Sequence, residues 1–565
     1  MMSNEEVNRA RARCEVWQVS ARFDENTRRE AAGIAGSEEE LLSCFGSELS
    51  FGTGGIRGIL GVGTNRMNLY TVARAAWGLA EYIKKTDGAS VAIAYDSRHG
   101  SRSFAEVTAG VLAFHGIHAW MYDRLMPTPM LSFAVREIKC TAGVMVTASH
   151  NPAQYNGYKV YGSDGCQITE QGAAVMTALI ERTEYTALKW LSAEEAAAQG
   201  FLHIIPQAVY DAFISRTLAR RMVMPSAANP LRLVYTPLHG AGLEPVRDVL
   251  ARMPGIHMKT VNEQCAPDGD FPTCPYPNPE MKEALEPGIA VAAEYGADIL
   301  IATDPDCDRV GVVTRQKDGG YRILTGNEVG LLLMDFILDH SARQDGKKNI
   351  VIKSIVTSDL AFAIAKVHDS VVAEVLTGFK YIGEMIGRME SAGEAETFVF
   401  GFEESCGYLA GTHVRDKDAV MACMLIAEMA QACAADGQTL DDAINALYDT
   451  YGYIGTRLLN FTIDDAFPME AMGILMEKLR ASPPEQLDNT PVTVIKDYLG
   501  GIDGLPASDI LSYENGTGGK VMIRPSGTEP KVKVYISAKG KQEHGVQLNL
   551  ERMAAQAEEW LGIIQ

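Results

Sequence analysis

No Cys-x-x-Cys pair occurs among the ten cysteines of this 565-residue chain, which argues against a zinc knuckle and against a thioredoxin-like redox motif. Dispersed thiols suit a reducing compartment, so a cytoplasmic location is expected. Positive charge is also short, with 51 Lys and Arg against 72 Asp and Glu and a formal net charge of -21. That balance argues against nucleic acid and against anionic membrane surfaces as partners. It also disfavours an anionic substrate at long range, so a site for one must concentrate its cations locally. Low-complexity tracts and long apolar runs are missing. The most apolar stretch, Val329 to Leu338, is too short to span a bilayer, contains Asp335, and reads as a buried helix. The segment from Met1 to about Gly36 is charged and helix-prone, with Arg9, Arg11 and Arg13 near Glu5 and Glu6, and lacks the apolar core of a secretory leader. Nothing in the sequence calls for an obligatory protein partner.

What is present is an ordinary globular composition, 47% hydrophobic and 22% charged, in a chain long enough for three to five domains of about 100–200 residues each. A strand, polar loop, helix order recurs along it and predicts α/β units with parallel sheets. Met67 to Lys85 has helical spacing. Val91–Tyr95 reads as a strand ending at Asp96-Ser97-Arg98, followed by a helix from Ser101 to Phe114. Asp96 and Arg98 are expected to cap and pair with one another. Alanine-rich helices lie between Glu170 and Gly200, and Leu231–Tyr235 starts a second unit. Cys265 to Pro279, with five prolines, reads as an irregular loop. The last unit contains the strands Lys520–Arg524 and Lys531–Tyr535 and an amphipathic helix from Leu548 to Trp560.

Five loops carry the candidate chemistry. Ala142–Val146 reads as a buried strand that delivers Ser149, a candidate nucleophile, in Thr147-Ala148-Ser149-His150-Asn151-Pro152, where Asn-Pro stops the strand. His150 could assist proton movement. Alone, these are also the residues of an ordinary turn. Asp304-Pro305-Asp306-Cys307-Asp308-Arg309 follows another buried strand, and its three carboxylates can converge on one hard cation, with Mg²⁺ the natural choice; an acidic surface turn is the alternative. An EF-hand is excluded because the required Gly and Glu do not follow. Glu403-Glu404-Ser405 emerges at a strand end, which suits hydrogen bonding to a sugar or an acidic helix N-terminus. Arg524-Pro525-Ser526-Gly527-Thr528 offers a guanidinium, two hydroxyls and exposed backbone, enough to surround a phosphate dianion. The glycine-rich Phe51–Gly58 loop, carrying Arg57, matches neither the Rossmann fingerprint nor a P-loop.

In combination and in order, these segments resemble the α-D-phosphohexomutase superfamily, the phosphoglucomutases and phosphomannomutases, from about Gly52 to about Tyr535. The resemblance implies four domains around a cleft, three related doubly wound α/β domains and a smaller C-terminal α+β domain. Their expected extents are 1–205 with the phosphoserine loop, 206–318 with the metal loop, 319–451 with the sugar loop and 452–565 with the phosphate loop. It implies that Ser149 carries a phosphoryl group, that Ser149, Asp304, Asp306 and Asp308 hold one Mg²⁺, and that Arg57 lies in the active site. Glu403 and Ser405 are then sugar contacts, Lys380 lies near the reacting groups, and Arg309 joins the substrate site with Arg524, Ser526, Gly527 and Thr528. His239 in Thr236–Gly242, and Arg415 and Lys417 in Arg-Asp-Lys-Asp, are secondary candidates. Arg57, His150 and Lys380 are the alternative candidates for proton transfer, a fully charged arginine being an unusual base.

The expected activity is reversible conversion of glucose 1-phosphate and glucose 6-phosphate through glucose 1,6-bisphosphate. Gly401-Phe402-Glu403-Glu404-Ser405 departs from the Gly-Glu-Met-Ser-Gly-His loop of dual-specificity mutases and is similar to the Glu-Glu-Ser branch, which includes phosphopentomutases. Pentose or mannose phosphates are thus the rival substrates. A metal-dependent sugar phosphatase is the rival class, and a non-catalytic phosphosugar sensor a third.

Overall fold

The computed structural model describes residues 4–562 apart from 53, 85, 87, 224–229, 343–345, 464–467 and 527–530. The N-terminal stretch forms not one helix but Asn4–Val19 and Glu25–Ile34, with Glu38–Phe45 after them. The break falls at Asp24, whose side chain accepts from the Thr27 amide and caps the second helix. Trp17, Phe23, Phe45 and Tyr70 form a buried aromatic cluster that ties these helices to the first sheet-bearing unit.

That unit holds β1 (Gly55–Ile59), β2 (Ser90–Tyr95), β3 (His118–Met121), β4 (Ala142–Val146), β5 (Tyr155–Gly162) and β6 (Leu202–Ile204), in the order β1-β5-β4-β2-β3-β6. The second sheet contains β7 (Leu231–Thr236), β8 (Ile256–Thr260), β9 (Ile299–Thr303), β10 (Val310–Arg315) and β11 (Tyr321–Leu324), ordered β11-β10-β9-β7-β8. The third contains β12 (Ile350–Ser354), β13 (Val371–Val375), β14 (Phe398–Glu403) and β15 (Gly407–Leu409), ordered β13-β12-β14-β15.

These three sheets share one plan. A first strand lies between a parallel second and a parallel third, and the third turns back into an antiparallel fourth. The units are therefore mixed rather than purely parallel. The reason is loop length: only residues 304–309 separate β9 from β10, far too few for the crossover of a dozen or more residues that a parallel neighbour needs. No sequence repeat accompanies this repeated topology. β4 and β9 are buried along their whole length, as strands covered by helices on both faces must be.

The fourth unit is an antiparallel sheet of β16 (Tyr453–Thr462), β17 (Gln486–Leu487), β18 (Thr490–Asp497), β19 (Leu511–Asn515), β20 (Lys520–Pro525) and β21 (Lys531–Gly540), ordered β16-β21-β20-β19-β18-β17. Helix Glu543–Leu561, longer at its start than its sequence pattern indicates, buries Val546, Leu550, Met553 and Ala557 against this sheet. Val329 to Leu338 lies within helix Gly326–His340 and is buried apart from half-buried Asp335. Among the described residues no single helix is long and apolar enough to cross a membrane.

Candidate active site

The three equivalent turns after β4, β9 and β14 carry Ser149, the aspartate run and Glu403-Glu404-Ser405. Each places one non-glycine residue in the left-handed region: Ser149 at φ 52°, Cys307 at 51° and Cys406 at 59°. Such a conformation costs roughly 1–3 kcal/mol, so surrounding contacts must impose it.

At the first turn the Ser149 amide donates to Thr147 Oγ1 at 2.8 Å, and that hydroxyl donates to Asp96 Oδ2 at 2.6 Å. The Ser149 hydroxyl is buried and donates to Asp304 Oδ2 at 2.8 Å, with His150 Nδ1 at 3.3 Å. Burial and the neighbouring Arg309 and Arg57 charges push the His150 imidazole well below its ordinary range. Arg57, exposed on β1, donates to Asn151 Oδ1 at 3.2 Å and so stands beside the same turn. Arg98, expected only to pair with Asp96, does so at 3.3 Å but also donates to the Ser149, Asn151, Pro152 and Tyr155 carbonyls.

Asp304, Asp306 and Asp308 are buried, and one oxygen of each lies within 4.8 Å of the others. Asp304 Oδ1 accepts from the Asp308 and Arg309 amides at 3.0 Å, which folds the turn around its own carboxylate. Asp306 Oδ2 accepts from Thr128 Oγ1 at 2.9 Å and from Lys159 Nζ at 2.8 Å. Asp308 Oδ2 faces Lys417 Nζ at 3.0 Å and Lys159 Nζ at 3.6 Å. Oδ1 of Asp306 and Oδ1 of Asp308 are buried without a hydrogen-bond partner among the described residues. Orphaned carboxylate oxygens in an all-oxygen cluster fit a hard divalent cation such as Mg²⁺. Burial and the charges of Asp306 and Asp308 hold the Asp304 carboxyl well above the usual range. Burial pushes Asp306 the same way as the largest single influence, but the Lys159 ammonium, the hydrogen bonds Asp306 makes and the Lys417 charge together outweigh it, and the net displacement is downward.

The third turn is stitched to the second. Val310 donates to the Cys406 carbonyl at 3.0 Å, and Arg309 Nη1 donates to the Ser405 carbonyl at 2.6 Å. Glu403 is buried and accepts from the Gly378 amide at 2.7 Å, just before helix Phe379–Ser391. Lys380, in the first turn of that helix, meets Glu170 Oε1 at 2.7 Å. Gly407 is required where it stands, since a Cβ there would lie 2.3 Å from Lys417 Cδ and block the lysine from reaching Asp308.

The remaining sequence candidates separate. Lys417 joins the centre, whereas Arg415 is fully buried, donates to the Thr412 and Val414 carbonyls and pairs with Glu390 at 2.7 Å. Arg415 braces its loop. His239 uses both ring nitrogens within its own unit, at 3.1 Å from the Ala266 carbonyl and 2.9 Å from Thr273 Oγ1, and its loop serves the metal turn through backbone. The Ala241 amide donates to Pro305 O at 2.8 Å, and a Cβ on Gly240 would meet Pro305 Cα at 2.4 Å. Arg524 is half-buried at the end of β20, and the Ser526 amide donates to Lys531 O at 2.8 Å across the hairpin base. Gly527 and Thr528 lie outside the described residues, as does Thr53 of the glycine-rich loop.

Sequence reasoning missed Lys159, Thr128 and the reach of Arg98. Only Lys159 left a signal, a lysine inside the otherwise buried strand β5 directly after the serine turn.

Phosphoglucomutase/phosphomannomutase family profiles match four consecutive segments: α/β/α domain I at residues 48–187, α/β/α domain II at 211–319, α/β/α domain III at 325–451 and the C-terminal domain at 492–553. A phosphoglucomutase of Staphylococcus aureus (strain USA300) is 35% identical over 514 residues, covering 89% of this chain and 92% of that one. Among solved structures, the Paramecium phosphoglucomutase parafusin in its open form superposes with a TM-score of 0.69 at 17% identity, over 92% of this chain and 96% of that one. An Aspergillus fumigatus N-acetylphosphoglucosamine mutase, solved with GlcNAc-6P and magnesium, gives 0.53 at 16% identity over 99% and 100%.

Proposed function

The chain belongs to the phosphoglucomutase/phosphomannomutase family, and from that premise we propose that it interconverts glucose 1-phosphate and glucose 6-phosphate. The observation that carries this is the Ser149 hydroxyl 2.8 Å from Asp304 inside a buried three-carboxylate pocket. In the resting enzyme Ser149 Oγ bears a phosphoryl group. The bond from Oγ to phosphorus breaks, one from phosphorus to the free sugar hydroxyl forms, and that hydroxyl's proton leaves to the enzyme. Glucose 1,6-bisphosphate results. It turns over in the cleft and returns its other phosphoryl to Ser149, leaving the isomeric monophosphate.

Asp304, Asp306 and Asp308, with an oxygen at Ser149, would hold Mg²⁺, which supplies neutralisation of the charge that develops on the transferring group. Lys159 and Lys417 hold Asp306 and Asp308 in place and add positive charge where the net -21 of the chain would repel phosphate. His150, kept neutral by burial and two arginines, holds or relays the proton at Ser149 Oγ. Arg57 stays charged and binds phosphate. Glu403 and Ser405 orient the sugar, Arg309 fixes their turn and Lys380 closes on it from the neighbouring helix. Arg524 and Ser526, with Gly527 and Thr528, hold whichever phosphate is not reacting. Ten free cysteines support a reducing, cytoplasmic setting.

Side-by-side turnover of glucose, mannose and pentose 1-phosphates tests this reading. Glucose 1-phosphate should have the highest kcat/KM. A higher value for ribose or deoxyribose 1-phosphate keeps the mechanism and changes the substrate. Stoichiometric release of inorganic phosphate without isomerisation would instead make the protein a sugar phosphatase.

A further inference from the structure

We propose that Arg98 is a positioning residue that holds the Ser149 turn in its transfer-competent conformation, an inference that rests on the mutase reading above. Its guanidinium lies inside the turn. Nη2 donates to the Ser149 carbonyl at 2.6 Å and to the Asn151 carbonyl, and Nη1 donates to the Pro152 carbonyl at 2.9 Å and to the Tyr155 carbonyl at 3.1 Å. Four backbone oxygens from one turn thus converge on one planar cation that is 3% exposed. A guanidinium presents donors along fixed directions, whereas an ammonium of the same charge cannot span them.

The device is anchored on two further sides. Asp96 pairs with Arg98 Nε at 3.3 Å, accepts from the Arg98 amide at 3.0 Å and from Ser101 Oγ at 2.7 Å, and accepts from Thr147 Oγ1, the same hydroxyl that receives the Ser149 amide. From the second unit, the Phe271 ring covers the guanidinium at 4.9 Å, and Asp270 meets His99 at 2.8 Å. The irregular 266–281 loop thus closes over the anchor. Among the described residues Arg98 makes no hydrogen bond with the Ser149 hydroxyl or with Asp304, Asp306 or Asp308; it holds the turn's backbone, and its charge also acts on Asp304, Asp306 and His150. The left-handed Ser149, at φ 52°, is the conformation that needs such imposition.

The test compares Arg98→Lys and Thr147→Val with the wild type in three measurements: kcat and KM for glucose 1-phosphate, phosphate loading of Ser149 from glucose 1,6-bisphosphate, and amide hydrogen exchange. Arg98→Lys keeps a charge opposite Asp96. It should lower kcat by about 10²-fold, the scale of an ångström-sized misplacement, with KM within about threefold. Exchange should accelerate in 147–156 while β2 stays protected. Thr147→Val, which cuts the hydroxyl link, should shift the same readings in the same direction by a smaller factor. Wild-type kcat in Arg98→Lys, or a lowered kcat with unchanged exchange in 147–156, overturns the proposal. If Arg98→Lys does not fold, unchanged kcat and exchange in Thr147→Val overturn it. Loop exchange and Ser149 loading do not depend on isomerisation, so a wild type that only releases phosphate would sink the mutase reading while leaving this one measurable.

Discussion

The Ser149 turn and the Glu403-Glu404-Ser405 turn occupy the same place in two sheets of the same plan, and each has a guanidinium on a backbone carbonyl, yet charge does a larger share of the holding at the first. Around Ser149 the contacts are charged and buried: Arg98 on the carbonyls, Asp96 behind them, and Lys159 and Lys417 on the facing aspartates. At the other turn one guanidinium, Arg309, meets the Ser405 carbonyl at 2.6 Å, and the hydrogen bonds to the two glutamates come from neutral donors. Glu403 accepts from a backbone amide, and Glu404 accepts from Thr357 Oγ1 at 3.2 Å and Ser354 Oγ at 3.4 Å. Charged contacts in a buried site fix atoms tightly and cost much when half removed, whereas neutral hydrogen bonds are weaker and easier to rearrange. The difference suits the proposed roles, in which one turn places a phosphoryl group and the other accepts a sugar in two orientations.

The comparison is broken most directly by removing the transferring oxygen. Ser149→Ala should abolish mutase turnover and leave the thermal transition close to wild type, since the turn keeps its backbone anchors. Near-normal turnover would move the chemistry elsewhere. Asp306→Asn comes next. It exchanges a strong ligand and the partner of Lys159 for a neutral amide, so phosphoryl transfer should slow by about 10²-fold or more and the Mg²⁺ needed for half activity should rise. An unchanged Mg²⁺ dependence would mean that the aspartate turn is held by its lysines alone.

Effects on the sugar side should fall on binding. Arg524→Ala should raise KM for both sugar phosphates by about 10- to 100-fold, as expected for a charge-assisted contact of roughly 1.5–3 kcal/mol, with kcat less affected. If phosphosugar affinity stays put, the hairpin does not hold the distal phosphate.

The smallest effect sharpens the contrast through pH. Burial, then the neighbouring Glu403 charge, pushes the Glu404 carboxyl up to about 7. A carboxyl raised on folding takes up its proton more readily in the folded protein. Its favourable contribution is therefore complete below the unfolded glutamate range and is lost as pH rises through about 7. Glu404→Gln should flatten the fall in stability between about pH 5 and 8, an effect of about 1–3 kcal/mol, read by melting across that range. A wild-type slope in the variant would show that Glu404 is already ionised at low pH.

Much of this was visible in the chain itself. β4 and β9 read as apolar runs because both faces are covered, and the polar residues that end them mark the turns. The aspartate cluster was legible because its three carboxylates are near neighbours in sequence. What was hidden depends on long-range geometry. The carbonyls that Arg98 binds lie 51 to 57 residues away and carry no side-chain signal at all. Thr128 reaches Asp306 across 178 residues. Arg415 and Lys417 are two residues apart and equally charged, but the chain bends at 415 and 416, and one reaches Glu390 while the other reaches Asp308. Nor did the sequence betray that three turns are equivalent, because the repeat resides in strand order and in one left-handed residue per turn.

The central claim is that Ser149 carries the phosphoryl group, and locating that phosphate tests it most directly. Active protein incubated with glucose 1,6-bisphosphate, digested and sequenced by mass spectrometry should carry phosphate on Ser149, and that phosphate should pass to glucose 1-phosphate on chasing. Phosphate found only on another residue, or on Ser149 but not transferred to the sugar, would contradict the account.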